Sequence, residues 1–167
     1  MLDIKVKKLT ETAKIPTKGH PADAGYDLYV DNFEKVSRTA MTSSITIKNN
    51  KITSEIDEAE VIDMFKVHTG IAINVPLGYF GRIAPRSSNP KNNIMIHDGV
   101  IDSGYTGELI VLAWGRSSGV KSEILPLRHG DRIAQLIIQK HEDANWHVTD
   151  DLGESERGSA GFGSTGE

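Results

Sequence analysis

Apolar and polar residues alternate from the start of the chain. Met1-Leu2-Asp3-Ile4-Lys5-Val6-Lys7-Lys8-Leu9 has the period of two expected of a strand with one buried face. Strand-length apolar runs recur. Residues 67–75 are apolar and β-rich, with Pro76 and Gly78 after them, and residues 79–84 stop at Pro85. Residues 109–114 precede Gly115, and residues 132–139 follow Gly130-Asp131. Short runs punctuated by Gly, Pro and Asp predict a sandwich or barrel of antiparallel strands. No helical period of useful length and no solenoid-type repeat intervenes.

Two stretches depart from this pattern. Residues 31–64 are polar and rich in Ser, Thr, Asn and acids, as an insertion in the surface would be. Within them Ile45-Thr46-Ile47-Lys48-Asn49-Asn50-Lys51-Ile52-Thr53 predicts a hairpin turning at Asn49-Asn50. The acidic run Ser54-Glu55-Ile56-Asp57-Glu58-Ala59-Glu60 fits a short helix capped by Ser54 or a solvated loop. The second stretch, 153–167, is a Gly/Ser-rich tail that cannot pack a core of its own. Residues 1–152 are then one domain and 153–167 a flexible arm.

Composition narrows the chemistry. The chain has 167 residues, 38% hydrophobic and 25% charged, which suits one globular domain. It has no cysteine, so disulfides, thiolate zinc sites and cysteine nucleophiles are excluded. A net charge of −4 argues against general nucleic-acid binding and requires placed arginines or a metal ion if the ligand is an anion. There is no apolar leader and no run near the ~18 residues of a membrane span, which makes the cytoplasm the default compartment.

Single motifs are weak. Gly161-Phe162-Gly163-Ser164-Thr165-Gly166 is formally G-x-G-x-x-G, but no helix follows for a pyrophosphate to sit on. Val100-Ile101-Asp102-Ser103-Gly104 is how an aspartic protease presents its carboxylate, yet no buttressing segment accompanies it. The six histidines form no metal-binding spacing. Pro85-Arg86-Ser87-Ser88 offers an arginine, two hydroxyls and backbone N–H groups, a sensible phosphate cradle.

The fragments carry more in order. Ala24-Gly25-Tyr26-Asp27-Leu28, Pro85-Arg86-Ser87-Ser88, Gly99 to Leu109, Gly130-Asp131-Arg132-Ile133-Ala134-Gln135-Leu136 and Arg157 to Gly166 follow one another along the chain. This succession resembles the five ordered motifs of the trimeric deoxyuridine triphosphatase (dUTPase) family. Two departures stand out: Ser88 where glycine is usual, and the long link over 31–64.

The resemblance implies an all-β, jelly-roll-like barrel assembled as a homotrimer with shared sites, and hydrolysis of dUTP to dUMP and pyrophosphate with Mg2+. It assigns Asp102 as the base that activates water, and Asp27 as a carboxylate holding the metal through water. Arg86, Ser87, Ser88 and Gln135 would line the phosphates, and Tyr105 would pack under the deoxyribose. Backbone groups between Gly99 and Ile110, Val100 among them, would read uracil. From the tail, Arg157 would reach the terminal phosphate and Phe162, with Gly163 and Ser164, would cover the base. dCTP deaminase shares the fold but lacks this tail pattern. A regulatory module that kept the fold is the other alternative, with the 31–64 segment, through its uncompensated acids Glu55, Asp57, Glu58, Glu60 and Asp63, as a surface for a basic protein partner. No membrane or nucleic-acid partner is expected.

Overall fold

The computed structural model describes residues 2–41, 44–48, 51–55, 60–118, 127–155 and 158–159. Among these described residues, eleven strands run in the order β1 (Lys5–Lys8), β2 (Tyr26–Tyr29), β3 (Asn32–Met41), β4 (Ser44–Lys48), β5 (Lys51–Glu55), β6 (Glu60–Asn74), β7 (Tyr79–Ala84), β8 (Ile94–Ile96), β9 (Gly99–Ile101), β10 (Glu108–Ser118) and β11 (Arg132–Lys140), with one 3₁₀ turn at Pro90–Asn92. The expected run over 79–84 is strand β7, and the run over 132–139 is β11 to within one residue.

The strands form two sheets and a separate hairpin. One sheet has the order β1-β6-β10-β8, with β3 also paired to β6; the other has the order β2-β11-β7-β9. Among the described residues no ladder joins the two sheets, so they do not close into the expected barrel. Closure needs every edge strand paired. Here β8 ends one sheet, and β2 and β9 end the other. The architecture is an open two-sheet arrangement around one core.

That core takes residues from both sheets. Val67, Ile71, Leu109 and Val111 of one and Leu28, Ile83, Ile133 and Ala134 of the other are 2% exposed or less. Each large aliphatic side chain so buried contributes about 1.5–3 kcal/mol. The alternation along β6 breaks at Gly70, whose φ of +67° suits glycine. There β6 bulges against β10: Glu108 pairs with Ala72, and two residues on Ile110 pairs with His68. The Glu108 carboxylate supplies the missing partners, accepting from the Gly70 N–H at 2.8 Å and pairing with His68 Nδ1 at 2.9 Å.

The segment expected to be an insertion over 31–64 is partly scaffold. β3 pairs with β6 from Asn32↔His68 to Met41↔Glu60, and Phe33 meets Phe65 edge-on at 6.2 Å. β10 continues alongside as far as Ser118↔Glu60, so three strands extend together beyond the core. β4 and β5 form the expected hairpin in the register Lys48↔Lys51. Asn49 and Asn50 at its turn lie outside the described residues, as do residues 56–59 of the acidic run.

Asp31 sits where β2 leads towards β3, its side chain 7% exposed. Hydrogen bonds hold its carboxyl below the ordinary carboxylate range. The Thr12 hydroxyl contributes most, against an opposing push from burial, with Thr10 and the nearby His129 adding to the depression.

Candidate active site

Strand alternation places the first group of polar residues. Leu28 is fully buried, so its neighbour Asp27 points to the other face of the sheet. Its register partner on β11 is Gln135, flanked by buried Ala134 and Leu136 and therefore on the same face as Asp27. Across the sheet Gln135 pairs with Ala84, the last residue of β7, and Pro85 then ends the strand and delivers Arg86.

Arg86 is the hub. Its Nε donates to Asp27 Oδ1 at 2.8 Å, and its Nη1 donates to Ser88 Oγ and to the Arg132 carbonyl, both at 3.2 Å. Arg132 Nη1 reaches Asp27 Oδ2 at 3.3 Å. Gln135 Nε2 donates to the Pro85 carbonyl at 2.8 Å. A Cβ on Gly25 would overlap the Gln135 side-chain amide, so any larger residue there would force Gln135 to shift. The hydroxyl of Ser88, where the resembled motif has glycine, is thus engaged in fixing Arg86. Ser87 is exposed beside it. Two guanidinium groups and free loop edges facing solvent make a surface suited to an anion such as phosphate.

The second group lies on the β9–β10 connection. Ile101 is buried and Asp102 behind it is exposed. A β-turn follows: Tyr105 N–H donates to the Asp102 carbonyl at 3.1 Å, with Gly104 at φ +85° in its third position. The Tyr105 hydroxyl donates to the Glu108 carbonyl at 3.0 Å. Gly107 lets the ring lie across the turn, since a Cβ there would overlap it. Val100 is 65% exposed, and Tyr105 and Ile110 are also exposed.

These groups are not brought together within one chain. β2 and β9 are opposite edges of the same sheet, three strand spacings or about 14 Å apart. In register Asp27 stands level with Ala84, whereas Ile101 stands level with Gly81. Asp102 is therefore displaced by a further distance of about 14 Å along the strands. Arg157, Phe162, Gly163 and Ser164 lie outside the described residues.

Several participants were not singled out from sequence. Arg132 stood in a quoted motif without a role, and its contact with Asp27 depends on β2 lying beside β11. Glu108, inside a quoted motif but given no role, and Asn89 act on backbone groups, Glu108 at Gly70 and Asn89 at Arg86 and Ile133, which no side-chain motif signals. Gly25 had one available: a glycine two residues before a strand carboxylate.

No group of three metal-binding side chains exists among the described residues. Asp27 uses two of its roughly four acceptor positions on arginines. The remaining acceptor positions of Asp27 are chemically suited to a hard cation such as magnesium or to its bound waters. No helix among the described residues is long and apolar enough to cross a membrane.

A family model described as dUTPase matches residues 57–166. The deoxyuridine 5'-triphosphate nucleotidohydrolase of Saccharomyces cerevisiae is 37% identical over 165 residues, covering 98% of this chain and 94% of that protein. Among solved structures, a Staphylococcus bacteriophage 80alpha dUTPase with dUPNHPP is similar at a TM-score of 0.71 and 23% identity, covering 100% of both chains. A mutant dUTPase from phage phi11 of S. aureus, described for the coordination of a structural Mg(II) ion, is similar at a TM-score of 0.62 and 19% identity, covering 92% of this chain and 100% of that one.

Proposed function

Because the chain belongs to the dUTPase family, we propose that its two separated groups are complementary halves of one active site, completed between copies of the chain. The chain hydrolyses dUTP to dUMP and pyrophosphate. What carries the two-halves reading is the convergence of Asp27, Arg132 and Ser88 on Arg86 at one sheet edge, with Asp102 presented at the other.

In this reading Asp102 takes a proton from a water molecule aligned on the α-phosphorus. The water oxygen bonds to phosphorus, the bond to the bridging oxygen of the β-phosphate breaks, and pyrophosphate leaves with the electron pair. Arg86, Ser87, Ser88 and Gln135 hold the phosphate chain, where fixed guanidinium charge stabilises the transition state. Tyr105 packs against the deoxyribose, and backbone groups at Gly99, Val100 and Ile110 read uracil. Arg157 grips the terminal phosphate and Phe162, with Gly163 and Ser164, covers the base, so that 153–167 serves as an arm to a domain of residues 1–152. Asp27 would hold Mg2+ through water. The ion would neutralise phosphate charge, and the phi11 relative's Mg(II) supports its presence by analogy.

We read the assembly as a homotrimer with shared sites. Two features support association. Trp146, Val148 and Leu152 are almost fully exposed on the extended segment after β11. A cleft of about 500 Å3, with the apolar residues Ile4, Val6, Tyr79 and Ile138 among its lining, lies open on the same chain. The 31–64 segment is proposed to carry a surface for a basic protein partner, on the strength of Glu55, Asp57, Glu58 and Glu60. Asp63 does not belong to that acidic face: it is 5% exposed and paired with Lys35 Nζ at 2.6 Å.

The test is pyrophosphate release from dUTP, dCTP, dTTP and UTP in parallel, with and without magnesium. Turnover confined to dUTP and dependent on the ion is expected; equal turnover of dCTP would overturn the uracil assignment. Mixing a chain truncated after Gly153 with an Asp102→Asn chain should restore activity. No recovery in exchanged oligomers would count against shared sites.

A further inference from the structure

Asn89 is among the few buried polar residues, 4% exposed, and nothing in the reaction outlined above uses it. Every polar atom of its amide is engaged. Oδ1 accepts the Arg86 backbone N–H at 2.8 Å, and Nδ2 donates to the Ile133 carbonyl at 2.8 Å. Its backbone closes the loop as well: Asn89 N–H donates to the Arg86 carbonyl at 3.0 Å, and the Asn89 carbonyl accepts from Asn92 and Ile94, each at 3.0 Å. One side chain thus spans from the loop carrying Arg86, Ser87 and Ser88 to β11.

The anchor on β11 is itself special. The β11–β2 register shifts between Arg132 and Ala134, and Ile133 is the extra residue of that bulge. A bulged residue drops out of the ladder and leaves backbone groups for other partners. Ile133 lies between Arg132 and Gln135, the two β11 residues that contact Asp27 and Pro85. Asn89 therefore ties the loop to β11 at the point from which both other contacts are made.

We propose that Asn89 is a positioning residue for phosphate binding: it fixes the Arg86 loop against the β11 bulge so that Arg86 stands ready before substrate arrives. This rests on the assignment of Arg86 to the phosphates. A loop free to drift would lose part of its binding energy in being ordered at each encounter. Asn89 touches no substrate in this scheme and acts only through Arg86.

Asn89→Ser separates the two ends of the tie. A serine hydroxyl can still accept from the Arg86 N–H, in the manner of a local side-chain cap, but is too short to reach Ile133. The variant should remain assembled with a dUTP KM raised about five- to tenfold, the loss of one buried hydrogen bond, while kcat changes less than threefold. A purely structural role would lower the active fraction, hence kcat, with KM unchanged, and that result would overturn the proposal, as would an unaltered KM. Should the serine variant not fold, Asn89→Asp replaces it. Its ionised carboxylate sets an oxygen against the Ile133 carbonyl, so its KM excess over wild type should shrink as pH falls and the carboxyl gains a proton to donate. A pH-independent excess would overturn the proposal. Arg86→Ala, measured beside them, separates the two claims. If it too leaves KM unchanged, the phosphate assignment fails; if it raises KM while Asn89→Ser does not, only the positioning role fails.

Discussion

Arg86 and Asp27 are 59 positions apart in sequence and share a 2.8 Å charge-assisted hydrogen bond, one-fifth exposed or less on both sides. The contact exists because β11 lies between β2 and β7, so that the residue leaving β7 reaches back across one strand. A guanidinium held by a carboxylate at one end and by Ser88 and the Arg132 carbonyl at the other arrives at a ligand already oriented.

Asp102→Asn keeps the shape of the exposed turn and removes the proton acceptor. Turnover of dUTP should fall by roughly 10²–10⁴ while affinity for a non-hydrolysable analogue stays near wild type. Steady-state kinetics with a binding titration checks this, and near wild-type turnover would remove Asp102 from its role.

Gly25→Ala puts a methyl group into the space of the Gln135 amide. Either Gln135 leaves the Pro85 carbonyl or β2 moves outward with Asp27. Gln135 is a flexible side chain that can yield, so stability should change by less than about 1 kcal/mol while the KM for dUTP rises. Gly78→Ala, where a Cβ meets nothing but φ is +79°, is the control for backbone strain alone. Equal KM values in the two variants would show that the Gln135 contact is irrelevant to binding.

Thr12→Val removes the largest cause of the depressed Asp31 pKa. The folded value is the lower one, so the stabilisation is complete above the ordinary carboxylate range, near 3.9. It is lost as pH falls through the folded value. The variant should be about 1–3 kcal/mol less stable at pH 7 by urea unfolding, the worth of a hydrogen bond to a charged group. The difference should narrow below about pH 4, whereas a deficit of the same size at pH 3 would contradict this origin.

Excision distinguishes scaffold from decoration between β3 and β6. Replacing residues 42–59 by a short Gly/Ser linker should leave the fold and dUTP hydrolysis intact. Replacing 32–63 removes β3, the Phe33–Phe65 contact and the Lys35–Asp63 pair, and should cost several kcal/mol or abolish folding. Circular dichroism and pyrophosphate release on both proteins check the pair of outcomes.

The sequence made the buried strands legible. β7 is an apolar run stopped by Pro85 and β11 one opened by Gly130-Asp131, so period and punctuation agree. Sheet closure was not legible, because a run of strands has the same pattern whether its last edge pairs or stays open. β3 escaped notice because Asn32–Met41 is polar and owes its state to β6. Asp63 read as an uncompensated acid for the same reason: Lys35 lies 28 residues away and meets it only through that pairing. At the site, ordered motifs named Asp27, Arg86 and Gln135, which converge as side chains. Asn89 and Glu108 work through backbone carbonyls and N–H groups, which carry no residue identity for a motif to record.

If Asp27 and Asp102 are halves of one site, as proposed, their placement on opposite edges of one sheet makes hydrolysis a matter of dilution. A lone chain, newly made or scattered at low concentration, would then hold both halves of the chemistry and be unable to apply them to the same nucleotide. Specific activity should therefore fall on dilution below the assembly constant and return on concentration, with a lag whose length depends on how often chains meet.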